Sequence, residues 1–296
     1  MSTHATAPKR TTLGDLAAKR QAREPIVMVT AYDYPSAQIV EAAGVDIVLV
    51  GDSAAMTVLG YDSTVPVTVD EMLMLTKAVR RGLTQPLLVG DLPFGSYEAS
   101  DEQAVASAQR FVKEAGVDLV KIERGGTSVD RARAIVASGI PVVGHVGLTP
   151  QTAVSLGGYR AQGRTAEAAL ALRDEARALQ DAGCSLLVIE AVPREVTALL
   201  IPELHIPVIG IGAGPDADGQ VLVFHDLLGI YDGGAAKFVK RYADLRGIAI
   251  DAVEAYATEV RERVYPAPEH GYAMPAAEAE RLRAMAARLM FGLSAE

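Results

Sequence analysis

Two aspartates, Asp52 and Asp91, each follow a glycine at the end of a short apolar run, in GDS (51–53) and GDLP (90–93). Further polar groups close similar runs. Lys121 and Glu123 stand two residues apart in LVKIERG (119–125), His145 lies in VVGHVGL (142–148), and Glu190 ends LLVIEA (186–191). Carboxylates without a Cys or His motif of zinc spacing offer hard oxygen donors, which point to Mg²⁺. That ion takes one or two protein carboxylates and fills its octahedron with water and substrate oxygens. A 2-oxo acid supplies two such oxygens, its carboxylate and its keto oxygen. Asp52 and Asp91 are then the metal ligands, with Glu123 contributing directly or through a water. The plainer alternative is that each aspartate only caps the helix after its strand.

Lys121 and Glu123 point to one side of a strand, Val120 and Ile122 to the other. Lys121 suits a substrate carboxylate or a developing enolate oxygen. A structural Lys–Glu pair and a Schiff-base lysine are the alternatives, the latter less needed where a metal is the Lewis acid. Glu190, poorly hydrated at the end of an apolar strand, suits a general base that takes a proton from carbon, against a buried ion-pair partner. His145 suits a substrate oxygen or the orientation of a neighbour, against a satisfied core histidine. His225 and Asp226 carry a weaker signal. Cys184 precedes a strand, away from these groups, and is not read as a nucleophile.

The elements that must gather these residues are legible from the same runs. Six runs, at 47–53, 87–93, 119–125, 142–148, 186–191 and 208–214, are short, apolar and bounded by Gly or Pro, as buried parallel strands are. IVMVTA (26–31) supplies a first strand and VLVFHD (221–226) an eighth. Helical spacing marks 13–23, 35–43, 69–82, 101–115, 128–138 and 166–182 between them, and 243–264 and 276–291 beyond. The expected fold is an α/β (β/α)₈ barrel, whose active site sits at the C-terminal ends of the strands. Residues 1–11 are expected to be a disordered tail, and 12–296 a single barrel domain with an N-terminal helix and C-terminal helices. Those last helices would cover the barrel or meet another subunit. The Gly-rich connection 148–165 is read as a lid or substrate loop. GIGAG (210–214) is a weak phosphate signal or a tight turn against a ligand.

A chain of 296 residues, half of them hydrophobic, can bury one large core. Its formal net charge of −9 argues against nucleic acid and anionic membranes. One cysteine excludes an internal disulfide and fits a reducing compartment. The polar start MSTHATAPKRTT has no signal-peptide core, and no apolar stretch nears the ~20 residues that span a bilayer. A cytoplasmic protein is expected.

The segments VTAYD (29–33), GDS (51–53), VLGYDSTVPVT (58–68), GDLPFGSY (90–97), VKIERG (120–125), GHVGLTPQ (144–151), GGYRAQGRT (157–165), IEAVP (189–193) and IGIGAGPDADGQVLVFHDLLG (209–229) closely resemble the ketopantoate hydroxymethyltransferase family. The resemblance spans about residues 12 to 265. It implies a barrel of the phosphoenolpyruvate mutase/isocitrate lyase type. It implies transfer of a hydroxymethyl group from 5,10-methylenetetrahydrofolate to 3-methyl-2-oxobutanoate, with Mg²⁺, in a cytoplasmic homodecamer at the first step of pantothenate biosynthesis. By the same resemblance the metal ligands are Asp52, Asp91 and Glu123. The 2-oxo acid contacts are Asp52, Ser53, Asp91 and Lys121, and the proton acceptor is Glu190. One departure is GDSAAM (51–56), where a bulkier residue often follows the serine.

The rival expectation is a Mg²⁺-dependent 2-oxo acid lyase or mutase of the same superfamily. Folate-independent lyases of that group resemble one another in a catalytic cysteine loop, and no such loop is visible here. A barrel that only binds or assembles is disfavoured, because charges crowded into one mouth cost stability without a task.

Overall fold

The apolar runs fold as eight parallel strands: β1 (Ile26–Thr30), β2 (Ile47–Val50), β3 (Leu87–Asp91), β4 (Leu119–Glu123), β5 (Val142–Gly147), β6 (Leu186–Glu190), β7 (Val208–Ile211) and β8 (Gly219–Leu222). They pair in chain order, and β8 returns to β1 to close a barrel. This computed structural model describes residues 9–234 and 236–290. The chain divides into two compact units, one up to Ala243 and one from Asp244. The first holds the barrel with α1 (Leu13–Ala22), α2 (Tyr34–Ala42), α3 (Ala54–Thr57), α4 (Val69–Arg81), α5 (Asp101–Ala115), α6 (Ser128–Ala137), α7 (Ala166–Asp181), α8 (Arg194–Leu200) and α9 (Phe224–Leu228). The second holds α10 (Leu245–Arg261) and α11 (Ala276–Met290).

Strand alternation sorts each run into two apolar layers. Residues such as Met28, Ile47, Val89, Leu119, Val143 and Ile209 fill the barrel interior. Their neighbours Val48, Leu88, Val120 and Ile122 face outward, in one cluster with Met72, Phe111 and Leu172 of the helices. Leu16 of α1 is fully buried in the interior cluster and closes the N-terminal end. Further along β3, β4, β5 and β6 the interior positions are Asp91, Lys121 and Glu123, His145, and Glu190, so the barrel is apolar at its base and carries ionisable groups at its mouth. Gly90 faces outward, where a side chain would strike Phe111 of α5. The next residue, Asp91, therefore faces in.

Side-chain caps start the helices where the sequence places polar residues. Thr12 and Asp15 form a capping box on α1, and Thr68 and Glu71 another on α4. Ser100 and Thr165 cap α5 and α7.

The eighth strand departs from the expectation. It covers Gly219–Leu222, and the chain then turns into α9, so His225 and Asp226 lie on a helix. The cause is a contact distant in sequence: the Phe224 N–H donates to the Thr30 hydroxyl at 2.8 Å rather than extending a ladder. Of the segment expected to be a tail, residues 1–8 lie outside the described residues. Arg10 pairs with Asp118 at 2.7 Å, and Thr11 N–H donates to the Gln85 carbonyl. In the second unit Val253, Tyr256, Val264 and Leu282 are exposed. No helix among the described residues is long and apolar enough to cross a membrane.

Gly147 is bound to its type by the barrel. It ends β5 opposite Glu190, at φ +92°, and a Cβ there would collide with the Glu190 carbonyl oxygen. Gly147→Ala is expected to lose about 1–3 kcal/mol from backbone strain alone, and more from the collision. Urea denaturation checks this; wild-type stability would contradict it.

Candidate active site

Neighbouring strands set the site side by side. Asp91 lies opposite Lys121, Glu123 opposite His145, and Gly147 opposite Glu190 in the parallel register. Asp52 follows β2 and hydrogen-bonds through its backbone N–H to Asp91 Oδ2 at 3.1 Å. Asp52, Asp91 and Glu123 each offer an oxygen within 4.8 Å of the others. Asp52, Asp91, Lys121, Glu123 and His145 are none of them more than 4 % exposed, so water contributes little to balancing their charges.

Lys121 is the fixed cation of the cluster. Its Nζ lies 2.8 Å from Asp91 Oδ1 and 3.3 Å from Glu123 Oε1. Burial works against its charge. Asp91, Glu123 and Asp52 outweigh that and hold it charged beyond the ordinary lysine range. One ammonium does not balance three acids. Burial, then Asp91 and Glu123, push Asp52 well above the usual carboxylate range. Burial also raises Asp91, although Lys121 opposes it. Glu123 resists burial because Lys121 and His145 draw it down to about 2.

His145 bridges two acids. Its Nδ1 lies 3.3 Å from Glu123 Oε1 and its Nε2 3.3 Å from Glu190 Oε2. Burial and Lys121 oppose its charge, but the two carboxylates win and raise it to about 9. Glu190 is the open member, its side chain 15 % exposed. Ser53 Oγ is 2.8 Å from the Tyr32 hydroxyl.

All seven residues singled out from sequence, Asp52, Ser53, Asp91, Lys121, Glu123, His145 and Glu190, line one cavity of about 240 Å³. Asp226 lines it too, from α9, while His225 packs its ring against Tyr32 at 5.3 Å. Met56, Tyr159, Glu190 and Phe238 line both this cavity and a cleft of about 900 Å³. The cleft carries Arg160, Arg164, Arg194 and Lys237, and Glu190 is the one acid among its described lining residues. Tyr159, Arg160 and Arg164 come from the 148–165 connection. In GIGAG, Gly212 and Gly214 line the cleft, and side chains there would strike Phe238 and Arg194. Cys184 is buried just before β6, its thiol raised to about 12 by burial.

Sequence reasoning passed over Gln151 and Tyr97. Gln151 Nε2 donates to Asp52 Oδ2 at 2.9 Å and to the Leu92 carbonyl at 3.0 Å, and its backbone N–H donates to Glu123 Oε2 at 2.9 Å. The Tyr97 hydroxyl donates to Gln151 Oε1 at 2.6 Å and accepts from the Glu123 N–H at 3.1 Å. Both belong to the quoted motifs GHVGLTPQ and GDLPFGSY, but neither carries charge or stands at a strand end.

The donor set fits a hard divalent cation. It is all oxygen and it is buried, and Asp91 and Glu123 push Asp52 up against the opposing charge of Lys121, a repulsion that a bound cation would relieve.

The family described as ketopantoate hydroxymethyltransferase matches residues 10–268 of the chain. A 3-methyl-2-oxobutanoate hydroxymethyltransferase of Oleidesulfovibrio alaskensis is 50% identical over 281 residues, 95% of this chain and 96% of that protein. One of Geobacillus kaustophilus is 52% identical over 255 residues, 86% of this chain and 91% of that protein. Among solved structures, phosphonopyruvate hydrolase superposes with a TM-score of 0.58 at 12% identity, covering 95% of this chain and 99% of its own. A 2,3-dimethylmalate lyase, a PEP mutase/isocitrate lyase superfamily member, gives 0.56 at 16% identity, covering 93% and 99%. Likeness at those identities concerns the fold.

Proposed function

The chain belongs to the ketopantoate hydroxymethyltransferase family, and on that premise we propose that it transfers a hydroxymethyl group from 5,10-methylenetetrahydrofolate to 3-methyl-2-oxobutanoate, giving 2-dehydropantoate. The observation that carries this reading is the meeting of three buried carboxylates and the more open Glu190 at one cavity. Asp52 and Asp91, with Glu123 directly or through a water, would hold Mg²⁺. The ion supplies Lewis-acid polarisation of a 2-oxo group when bound.

The chain's own residues divide the remaining work. Glu190 removes the C3 proton of the 2-oxo acid. Lys121 faces the oxygen on which negative charge develops, in a site dry enough to strengthen that contact. His145, with Nε2 3.3 Å from the Glu190 carboxylate, orients that base from the wall of the substrate cavity. Ser53 anchors the acid's carboxylate. As the C3 nucleophile bonds to the methylene carbon, one of that carbon's two C–N bonds breaks. Water then displaces the second nitrogen and leaves its oxygen as the product hydroxyl, and the freed nitrogens of tetrahydrofolate take up the C3 proton and one proton of the water. The adjoining cleft, with its four cations and with Tyr159 and Phe238, suits a long, flat, anionic co-substrate.

We place the reaction in the cytoplasm. The exposed apolar side chains of α10 and α11 support contacts between copies of the chain, and the resemblance sets the expected assembly at a homodecamer.

A coupled assay with 3-methyl-2-oxobutanoate, methylenetetrahydrofolate and Mg²⁺ tests the reading. Product formation is expected, with loss on EDTA and recovery on added Mg²⁺. Cleavage of methylisocitrate-like acids without folate would favour the lyase alternative instead.

A further inference from the structure

We propose that Gln151 is a positioning residue for the metal centre, its amide turned by Tyr97 so that it holds Asp52 and Glu123 at ligating spacing. This rests on the metal reading of the carboxylate cluster. Gln151 is 4 % exposed and lies at the base of the 148–165 connection, just past β5. It reaches two of the three carboxylates at once, Asp52 through its side chain and Glu123 through its backbone N–H.

The direction of the amide follows from the network around it. The Glu123 N–H can only donate, so the Tyr97 oxygen accepts from it. The Tyr97 proton then goes to the nearer of its two acceptors, Gln151 Oε1 at 2.6 Å rather than the Glu123 carbonyl at 3.4 Å. Gln151 Nε2 is left to face Asp52 Oδ2 and the Leu92 carbonyl, both acceptors. A flipped amide would set oxygen against oxygen at both contacts. Each polar atom of the Gln151 side chain is thus used, and the orientation is unique.

The residue type matters as much as the geometry. A lysine or arginine here would neutralise Asp52 and compete with a bound cation. An amide donates a hydrogen bond and adds no charge, so it fixes one carboxylate oxygen and leaves the cluster's negative charge for the ion. Outer partners of this kind are worth about 10–100-fold in metal affinity.

Calorimetric titration of Mg²⁺ into the full chain tests the proposal without reference to activity. Gln151→Ala is expected to weaken Mg²⁺ binding about 10–100-fold, and Tyr97→Phe to weaken it by a smaller factor in the same direction. Gln151→Leu fills nearly the same volume but cannot donate, so it is expected to lose about as much as Gln151→Ala. If Gln151 only filled space, Gln151→Leu would keep the wild-type affinity. Should Gln151→Ala not fold, Tyr97→Phe and Gln151→Leu decide. Wild-type affinity in these variants overturns the positioning role alone. No Mg²⁺ uptake by the wild type overturns it together with the metal reading.

Discussion

Replacing Glu190 with glutamine is expected to lower kcat by about 10²–10⁴-fold while leaving KM for the 2-oxo acid nearly unchanged. Glutamine keeps the shape and removes the proton acceptor. Glu190 lines the same cavity as the groups read as substrate ligands, and His145 Nε2 lies 3.3 Å from its carboxylate. No buried metal ligand loses a partner, so the fold should stand. The direct readout is exchange of the substrate C3 hydrogen with deuterated solvent, measured by NMR without folate. Glu190→Gln should be slow in that exchange as well as in turnover. Exchange at the wild-type rate would remove Glu190 from the role of base.

Lys121→Met is expected to act on stability and turnover together. The ammonium balances Asp91 at 2.8 Å and Glu123 at 3.3 Å, with Asp52 in the same buried cluster. Removing one partner of a buried ion pair costs about 3–5 kcal/mol, because the other charge is left unpaired. Turnover should drop by about 10²–10³-fold, the usual loss when a donor facing developing charge is removed. Mg²⁺ separates this from general damage. A ligand that binds only the native state stabilises it by about 2.7 kcal/mol at one hundred times its Kd. The variant, short of one cation, should gain more from added Mg²⁺ than the wild type does. Urea melts with and without the ion measure both increments. Equal increments would mean that the carboxylates do not share a cation site with Lys121.

Much of the site is legible in the sequence because a strand encodes direction. A polar residue at an interior position near the C-terminal end of a buried run can only point into the mouth. Asp91, Lys121, Glu123, His145 and Glu190 all obey this. Ser53 follows a strand on an irregular turn, and only the resemblance marks it. Gln151 and Tyr97 sit in connections with no period to read, and their value lies in partners distant in sequence, Asp52 and Glu123. The end of the eighth strand fails for the same reason. VLVFHD has strand composition, but the Thr30 hydroxyl captures the Phe224 N–H and starts a helix. The short helices α3 and α8 carry too few turns to display an apolar face. For α10 and α11 the apolar stripe is plain in the sequence, yet a stripe does not name what covers it.

Barrel closure also constrains how the protein is made. β1 is completed only by β8, through pairs such as Ile26 with Gly219. Until the ribosome has delivered Gly219, every nascent chain presents one side of β1 as an open template, with the acids of β3, β4 and β6 already synthesised but not yet enclosed. Translational pausing before that residue therefore exposes the species most prone to cross-pair with other chains.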